Sequence, residues 1–167
     1  HKKHLIDIEI DSLTNSIENT ISGDSFPTEV LPLRYFDMGD IAKKNGWQFN
    51  WRAESKSSKR ELFKLTISGN TSVIQGLVSI SDEKDHYYVH LIESAPFNIG
   101  KDKLYIGVPG NLFAFACKIS KDNGYGGFLA FVSKTKLISH YQESLGAIPF
   151  GRGPKMIIYP PTAEKLI

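Results

Sequence analysis

Gly107-Val108-Pro109-Gly110-Asn111-Leu112 is the stretch whose reading decides the fold. Tyr87-Tyr88-Val89-His90-Leu91-Ile92, an apolar run, precedes it. Leu112-Phe113-Ala114-Phe115-Ala116-Cys117-Lys118-Ile119, apolar at helical spacing, follows it. Strand, glycine-bearing turn and helix form a layout that points unpaired backbone N–H groups at an anion. Gly107 and Gly110 permit close backbone approach and positive φ. Pro109 withholds one N–H, is well tolerated at a first helical position, and leaves Val108, Gly110, Asn111 and Leu112 as donors. A plain strand-to-helix turn is the other reading, and the turn alone does not choose between them.

Outward from the turn, three runs at 62–67, 73–80 and 87–93 are separated by short polar connections, which predicts an antiparallel meander. On the other side, Asn123-Gly124 stops the helix, and Phe128-Leu129-Ala130-Phe131-Val132 is the continuous apolar run of a central strand. A helix over 135–144 carries Leu137, Ile138, Tyr141 and Leu145 on one side and ends at Gly146. Met156-Ile157-Ile158-Tyr159 is a last strand, stopped by Pro160-Pro161, and 163–167 starts a tail helix. A meander followed by a βαβ unit predicts an α/β domain: a mixed, mostly antiparallel central sheet flanked by helices.

Before the meander, residues 28–34 read as an edge strand with Pro32 in it, and 37–44 as a short helix stopped by Asn45-Gly46. Trp47 and Trp51, on an extended Trp-Gln-Phe-Asn-Trp run, share a face. They and Phe49 either line an acceptor pocket or fill the core. Residues 54–60 are a polar loop. Residues 1–27 form an N-terminal extension to a domain over 28–167. Within the extension Ile6, Ile8 and Ile10 alternate with Asp7, Glu9 and Asp11, a period-2 pattern, and Leu13, Ile17 and Ile21 predict a short helix ending at Gly23.

Of 167 residues, 41% are hydrophobic and 23% charged, enough for one domain with its own core. The net charge is +2 with Lys and Arg scattered, against a nucleic-acid binder. No apolar run approaches the roughly 18 residues that span a membrane. Cys117 is the single cysteine, so an intrachain disulfide is excluded and a reducing, cytoplasmic setting fits. It reads as a small core thiol in mid-helix. The chain starts at His1, which leaves a removed targeting segment open. No metal site is expected: His86 and His90, four apart on a strand, stand about 13 Å apart, and the His-Glu-x-x-His pattern is absent. The Gly-x-Ser-x-Gly and Gly-Lys-Ser/Thr motifs are absent too.

Two side chains carry acid–base chemistry. Glu93 ends the central apolar run, where a carboxylate could take a proton from an ammonium or simply bind backbone. Tyr141 could protonate a departing thiolate or pack its ring on the helix's apolar face.

The order of elements, with these motifs, resembles the GNAT superfamily of N-acetyltransferases. The family's phosphate-binding pattern is Arg/Gln-x-x-Gly-x-Gly/Ala; here the matching stretch is Leu104-Tyr105-Ile106-Gly107-Val108-Pro109, then Gly110-Asn111-Leu112. Gly126-Gly127-Phe128-Leu129-Ala130-Phe131 resembles the family's fifth strand, and His140-Tyr141-Gln142-Glu143-Ser144-Leu145-Gly146-Ala147 its following helix end. Leu104 replaces the Arg/Gln, Pro109 the second Gly/Ala, and Lys134 a common Asn. The resemblance spans 28–160 and implies direct transfer of an acetyl group from acetyl-CoA to a small-molecule or protein amine. It implies pyrophosphate binding at Gly107, Val108, Gly110, Asn111 and Leu112, with Lys134 toward a phosphate and Asn98 ordering the loop before the turn. Backbone at Ile92 and Ser94 would polarise the thioester carbonyl, Glu93 would act as base and Tyr141 as acid. A non-catalytic GNAT-fold module for CoA binding or protein interaction is the alternative, motivated by Leu104, Pro109 and the extension, which could cover the cleft or a partner. A homodimer is left open.

Overall fold

The computed structural model describes residues 4–167. Its elements, in chain order, are β1 (Ser16–Asn19), β2 (Ser25–Pro32), α1 (Trp51–Glu54), β3 (Glu61–Ile67), β4 (Gly76–Asp82), β5 (Tyr87–Ser94), β6 (Tyr105–Ile106), α2 (Val108–Asp122), β7 (Leu129–Val132), α3 (Ile138–Leu145), β8 (Ile148–Pro149), β9 (Lys155–Ile158) and α4 (Pro160–Leu166). The strands form one sheet in the order β6-β1-β2-β3-β4-β5-β7-β9-β8. Every named pairing is antiparallel except β5 with β7, so the expected mixed sheet with a meander at its centre is what forms.

Alternation along the strands sorts two cores. Val78 and Ile80 of β4 face the side of α2 and α3, with Leu112, Phe113, Phe131, Tyr141 and Leu145. Leu77 faces the other side, with Leu91, Trp47, Trp51, Met38 and Ile41. The two tryptophans are therefore core. They do not share an extended face, because Asn50 caps α1 by accepting from the Ala53 N–H at 3.0 Å and Trp51 opens that turn of helix. Gly76 lets α2 sit tight on the sheet: a Cβ there would meet Val108 Cγ1 at 2.6 Å.

Several local expectations change. The helix predicted from Leu13, Ile17 and Ile21 is instead β1. The Asn19 side-chain oxygen accepts from the Ile21 and Ser22 N–H groups at 3.0 Å each, which closes a hairpin turn. Only Ile17 is then buried, while Leu13 and Ile21 are exposed. Residues 16–27 thus pair within the sheet, and residue 27 falls inside β2. The helix predicted over 37–44 is two 3-10 turns, Tyr35–Asp37 and Lys43–Asn45. Pro160 and Pro161 stop β9 by starting α4, as the first and second residues of a helix tolerate a missing N–H.

The central strands do not run alongside one another to their ends. β5 and β7 share only Tyr87↔Leu129 and Tyr88↔Ala130. At that point β5 carries a bulge: Ser79 pairs with Leu91 and Ile80 with Val89, leaving His90 as the extra residue. A bulge bends its strand and increases local twist. Beyond His90, β5 follows β4 away from β7, and a cleft opens between them.

Candidate functional site

The cleft is bounded by β5, the start of α2, and the segment that leads from β7 into α3. Gly107 is the N-cap of α2, with φ of 101°. That conformation suits glycine alone. Val108 is the first helical residue and Pro109 the second, one place later than its sequence suggests. The Asn111 N–H, expected to face a ligand, is spent on the Gly107 carbonyl at 3.0 Å, because the helix already runs from Val108. Leu112 lies a residue deeper and is fully buried in the core. The donors at the turn not spent within the helix are Gly107, Val108 and Gly110.

The Asn111 side chain has a different task. Its amide nitrogen donates to the Gly107, Ser16 and Thr14 carbonyls, and its oxygen accepts from Thr28 Oγ1. It ties the turn to β1 and β2. Asn98 does the same from the other side, donating to the Gln75 carbonyl and side chain and accepting from the Tyr105 N–H at 3.1 Å. The glycine turn is thus clamped by two buried asparagines.

Residues 5–13 lie in the cleft. Ile6 bridges to Ser133, just past β7: its N–H donates to the Val132 carbonyl at 2.6 Å and its carbonyl accepts from the Lys134 N–H at 2.9 Å. Ile8 meets Tyr141: its N–H donates to the phenol oxygen at 3.1 Å, and the phenol donates back to the Ile8 carbonyl. The Ile10 N–H reaches His140 Nε2 at 2.7 Å. One Asp11 oxygen accepts from the Gly107 N–H at 2.9 Å, and the other from Lys103 Nζ at 2.9 Å. The Ser12 carbonyl then passes over Gly110 so closely that a Cβ there would stand 2.5 Å from it. The expected alternation holds along this segment: Ile6 is buried, Ile8 and Ile10 are half-buried against the core, and Asp7 and Glu9 are exposed. A cavity of about 330 Å³ remains beside it, lined by Phe49, His90, Glu93, Ser94 and Lys136 among others.

Glu93 is not the free strand-end carboxylate that its position suggests. It is 4% exposed and accepts three hydrogen bonds: from the Gln48 N–H at 2.6 Å, the Phe49 N–H at 3.3 Å and Trp51 Nε1 at 2.8 Å. Ile92 and Ser94, paired with Val78 and Gly76 of β4, line the same cavity. Tyr141 is fully buried, and burial pushes its phenol well above the ordinary tyrosine range. It holds its proton at neutral pH. Lys134, expected toward a phosphate, stands instead at the Ile6 end of the segment, where its N–H donates to the Ile6 carbonyl and its Nζ pairs with Asp7 at 2.8 Å on the surface. Cys117 is buried, and desolvation pushes its thiol up to about 12, so it is a core group.

Three groups at this site escaped sequence reasoning. Asp11 was visible as the end of an acidic alternation, but nothing local placed it at Gly107, 96 residues away. Lys103 carried no motif. His90 was set aside as a metal ligand; its role in the bulge comes from strand register. Its Nε2 lies 2.6 Å from Ser81 Oγ, which also donates to the exposed Glu83 at 2.5 Å.

No family model matches the chain, and no curated protein sequence matches it. Solved structures do. The ribosomal-protein-S18-alanine N-acetyltransferase from Escherichia coli superposes with a TM-score of 0.52 at 17% identity, over 78% of this chain and 90% of that one. Spermidine N-acetyltransferase from Vibrio cholerae, in complex with CoA and spermine, gives 0.57 at 14% identity, over 82% and 98%. A dodecameric form of the Vibrio cholerae enzyme gives 0.57 at 15%. At these identities the likeness establishes the fold.

Proposed function

We propose, from the GNAT fold of this chain as the premise, that it transfers an acetyl group from acetyl-CoA directly to an amine. The observation that carries this reading is the anion already seated at the α2 turn. The Asp11 carboxylate sits between the Gly107 N–H and Lys103, so the turn holds negative charge in the manner of a helix N-terminus. The cleft leads from that turn past the Tyr141 hydroxyl to the cavity beside β5.

Each residue has a task in this reading. Gly107, Val108 and Gly110 offer N–H groups to a pyrophosphate, and Lys103 stands beside them to meet phosphate charge. Ile92 and Ser94 supply backbone beside the reacting carbonyl. Bound acetyl-CoA supplies the acetyl group and leaves as the free thiol. The amine nitrogen bonds to the acetyl carbon as the carbon–sulfur bond breaks, and the Tyr141 phenol gives its proton to sulfur and regains one from solvent as the products leave. Glu93 shapes the acceptor wall by holding 48–51 in place. The proton from the amine leaves through His90, Ser81 and Glu83, a hydrogen-bonded path from the cavity to solvent. The acceptor is an amine on a small molecule or a protein.

A second reading, a GNAT-fold module without transfer chemistry, draws on one observation: residues 5–13 fill the cleft and occupy the Tyr141 hydroxyl. Thiol release from acetyl-CoA, measured against a panel of polyamines and peptide N-termini, separates the two. Turnover that depends on both acetyl-CoA and one amine class is expected for the enzyme. Acetyl-CoA binding without thiol release from any amine, or no binding at all, favours the module. At 100 times the dissociation constant, binding raises stability by about 2.7 kcal/mol, visible as a melting shift.

A further inference from the structure

Residues 5–13 follow a course that meets, in order, several of the groups assigned above to an acyl-CoA. Ile6 takes the backbone edge beyond β7, Ile8 takes both hydrogen bonds of the Tyr141 hydroxyl, and Asp11 takes the Gly107 N–H and Lys103. Ser12 lies over Gly110. Chemically the segment is an extended backbone that ends in a carboxylate. An acyl-CoA is an extended amide-bearing arm that ends in a pyrophosphate. A second acidic side chain of the segment, Asp7, pairs with Lys134 at its other end.

We propose that residues 5–13 are an intramolecular strap that competes with acyl-CoA for the cleft, with Asp11 standing in for the pyrophosphate and the Ile8 backbone for the amide arm near Tyr141. This rests on the reading of the cleft as an acyl-CoA site. The strap and cofactor cannot share Gly107 or the Tyr141 hydroxyl, so the strap must leave before cofactor enters. The apparent dissociation constant is then the intrinsic one divided by the open fraction. The strap is built to leave. Ile6 is its only fully buried side chain, and its backbone bonds run to groups on the cleft wall rather than to a second strand along its whole length. The site is thereby shut when cofactor is scarce, and any partner that captures the acidic strap opens it.

The test uses the full chain and CoA itself as the probe. Asp11→Ala removes the stand-in anion without touching the core, and Ile8→Pro removes the N–H that reaches Tyr141. Calorimetry should show CoA binding at least tenfold tighter in Asp11→Ala than in the unaltered chain, and tighter again in the double variant. Amide exchange on the unaltered chain needs no variant. At saturating CoA the Ile6, Ile8, Ile10 and Lys134 amides should lose protection while those of β3 and β4 keep it. If CoA binds the unaltered chain while those amides stay protected and Asp11→Ala gains nothing, the strap is wrong and the cleft reading survives. If CoA binds none of the folded variants, the cleft reading has failed and the strap falls with it.

Discussion

Glu93 and Tyr141 are two buried side chains with acid–base chemistry at this cleft, and the fold treats them in opposite ways. The partners of Glu93 belong to the domain: Gln48, Phe49 and Trp51 hold its carboxylate from one continuous stretch. The partner of Tyr141 is Ile8, on the segment that occupies the cleft. A polar group satisfied by the permanent wall serves the wall. A polar group satisfied by a removable segment is available for chemistry once that segment goes. Burial alone would have ranked the two alike, since both are nearly inaccessible.

The sharpest way to break this contrast is Tyr141→Phe. It should lower kcat by about 10²–10³, in the range for loss of one positioned acid, while the fold persists because the ring still packs with Phe113 and Phe131. Steady-state kinetics with the best amine acceptor checks it; an unchanged kcat removes Tyr141 from the mechanism. Glu93→Gln should act on the other axis. Its amide nitrogen would face donors, costing about 2–3 kcal/mol in urea unfolding, with the alkaline and acid limbs of the rate profile where they were. A shifted limb with normal stability would return Glu93 to the role of base. Gly107→Ala probes the turn between them. At φ of 101°, with a Cβ 3.1 Å from the Ser16 carbonyl, it should cost about 1–2 kcal/mol and weaken CoA binding together.

The smallest effect is on pH stability. Burial raises Cys117 and Tyr88 to about 12, and raises Tyr87 and Tyr141 as well. The folded chain therefore keeps protons that the unfolded chain releases from about pH 9 upward. Stability contributed by these groups is complete below that point and falls as pH rises toward 12. Urea midpoints that stay flat from pH 9 to 11 would contradict it.

What the sequence made legible was whatever depends on neighbours in the chain. The meander, the apolar β7, the glycine turn and the Gly146 stop, which adopts φ of 70°, follow from local period and local backbone needs. What it hid depends on distant pairing. β1 was masked by three isoleucine and leucine positions at helical spacing, and its strand identity comes from β2 and β6 on either side. β6 and β8, two residues each, have no period to show. At the site, Gly107 and Tyr141 were visible as residue types in a familiar order. That Glu93 would be saturated by a loop 45 residues earlier was not; that the extension could cover the cleft was one of two open readings, a partner being the other. The alternation of Ile6, Ile8 and Ile10 did announce an extended segment with one apolar face; only the fold says which surface receives it.

Acetyl-CoA titration followed by amide NMR tests the central claim most directly. Saturable shifts are expected at Gly107, Val108 and Gly110, the N–H groups at the start of α2 that the helix itself does not use, with Ile8 changing in step as it leaves Tyr141. Millimolar acetyl-CoA that leaves those three resonances in place, in both the unaltered chain and Asp11→Ala, would contradict it.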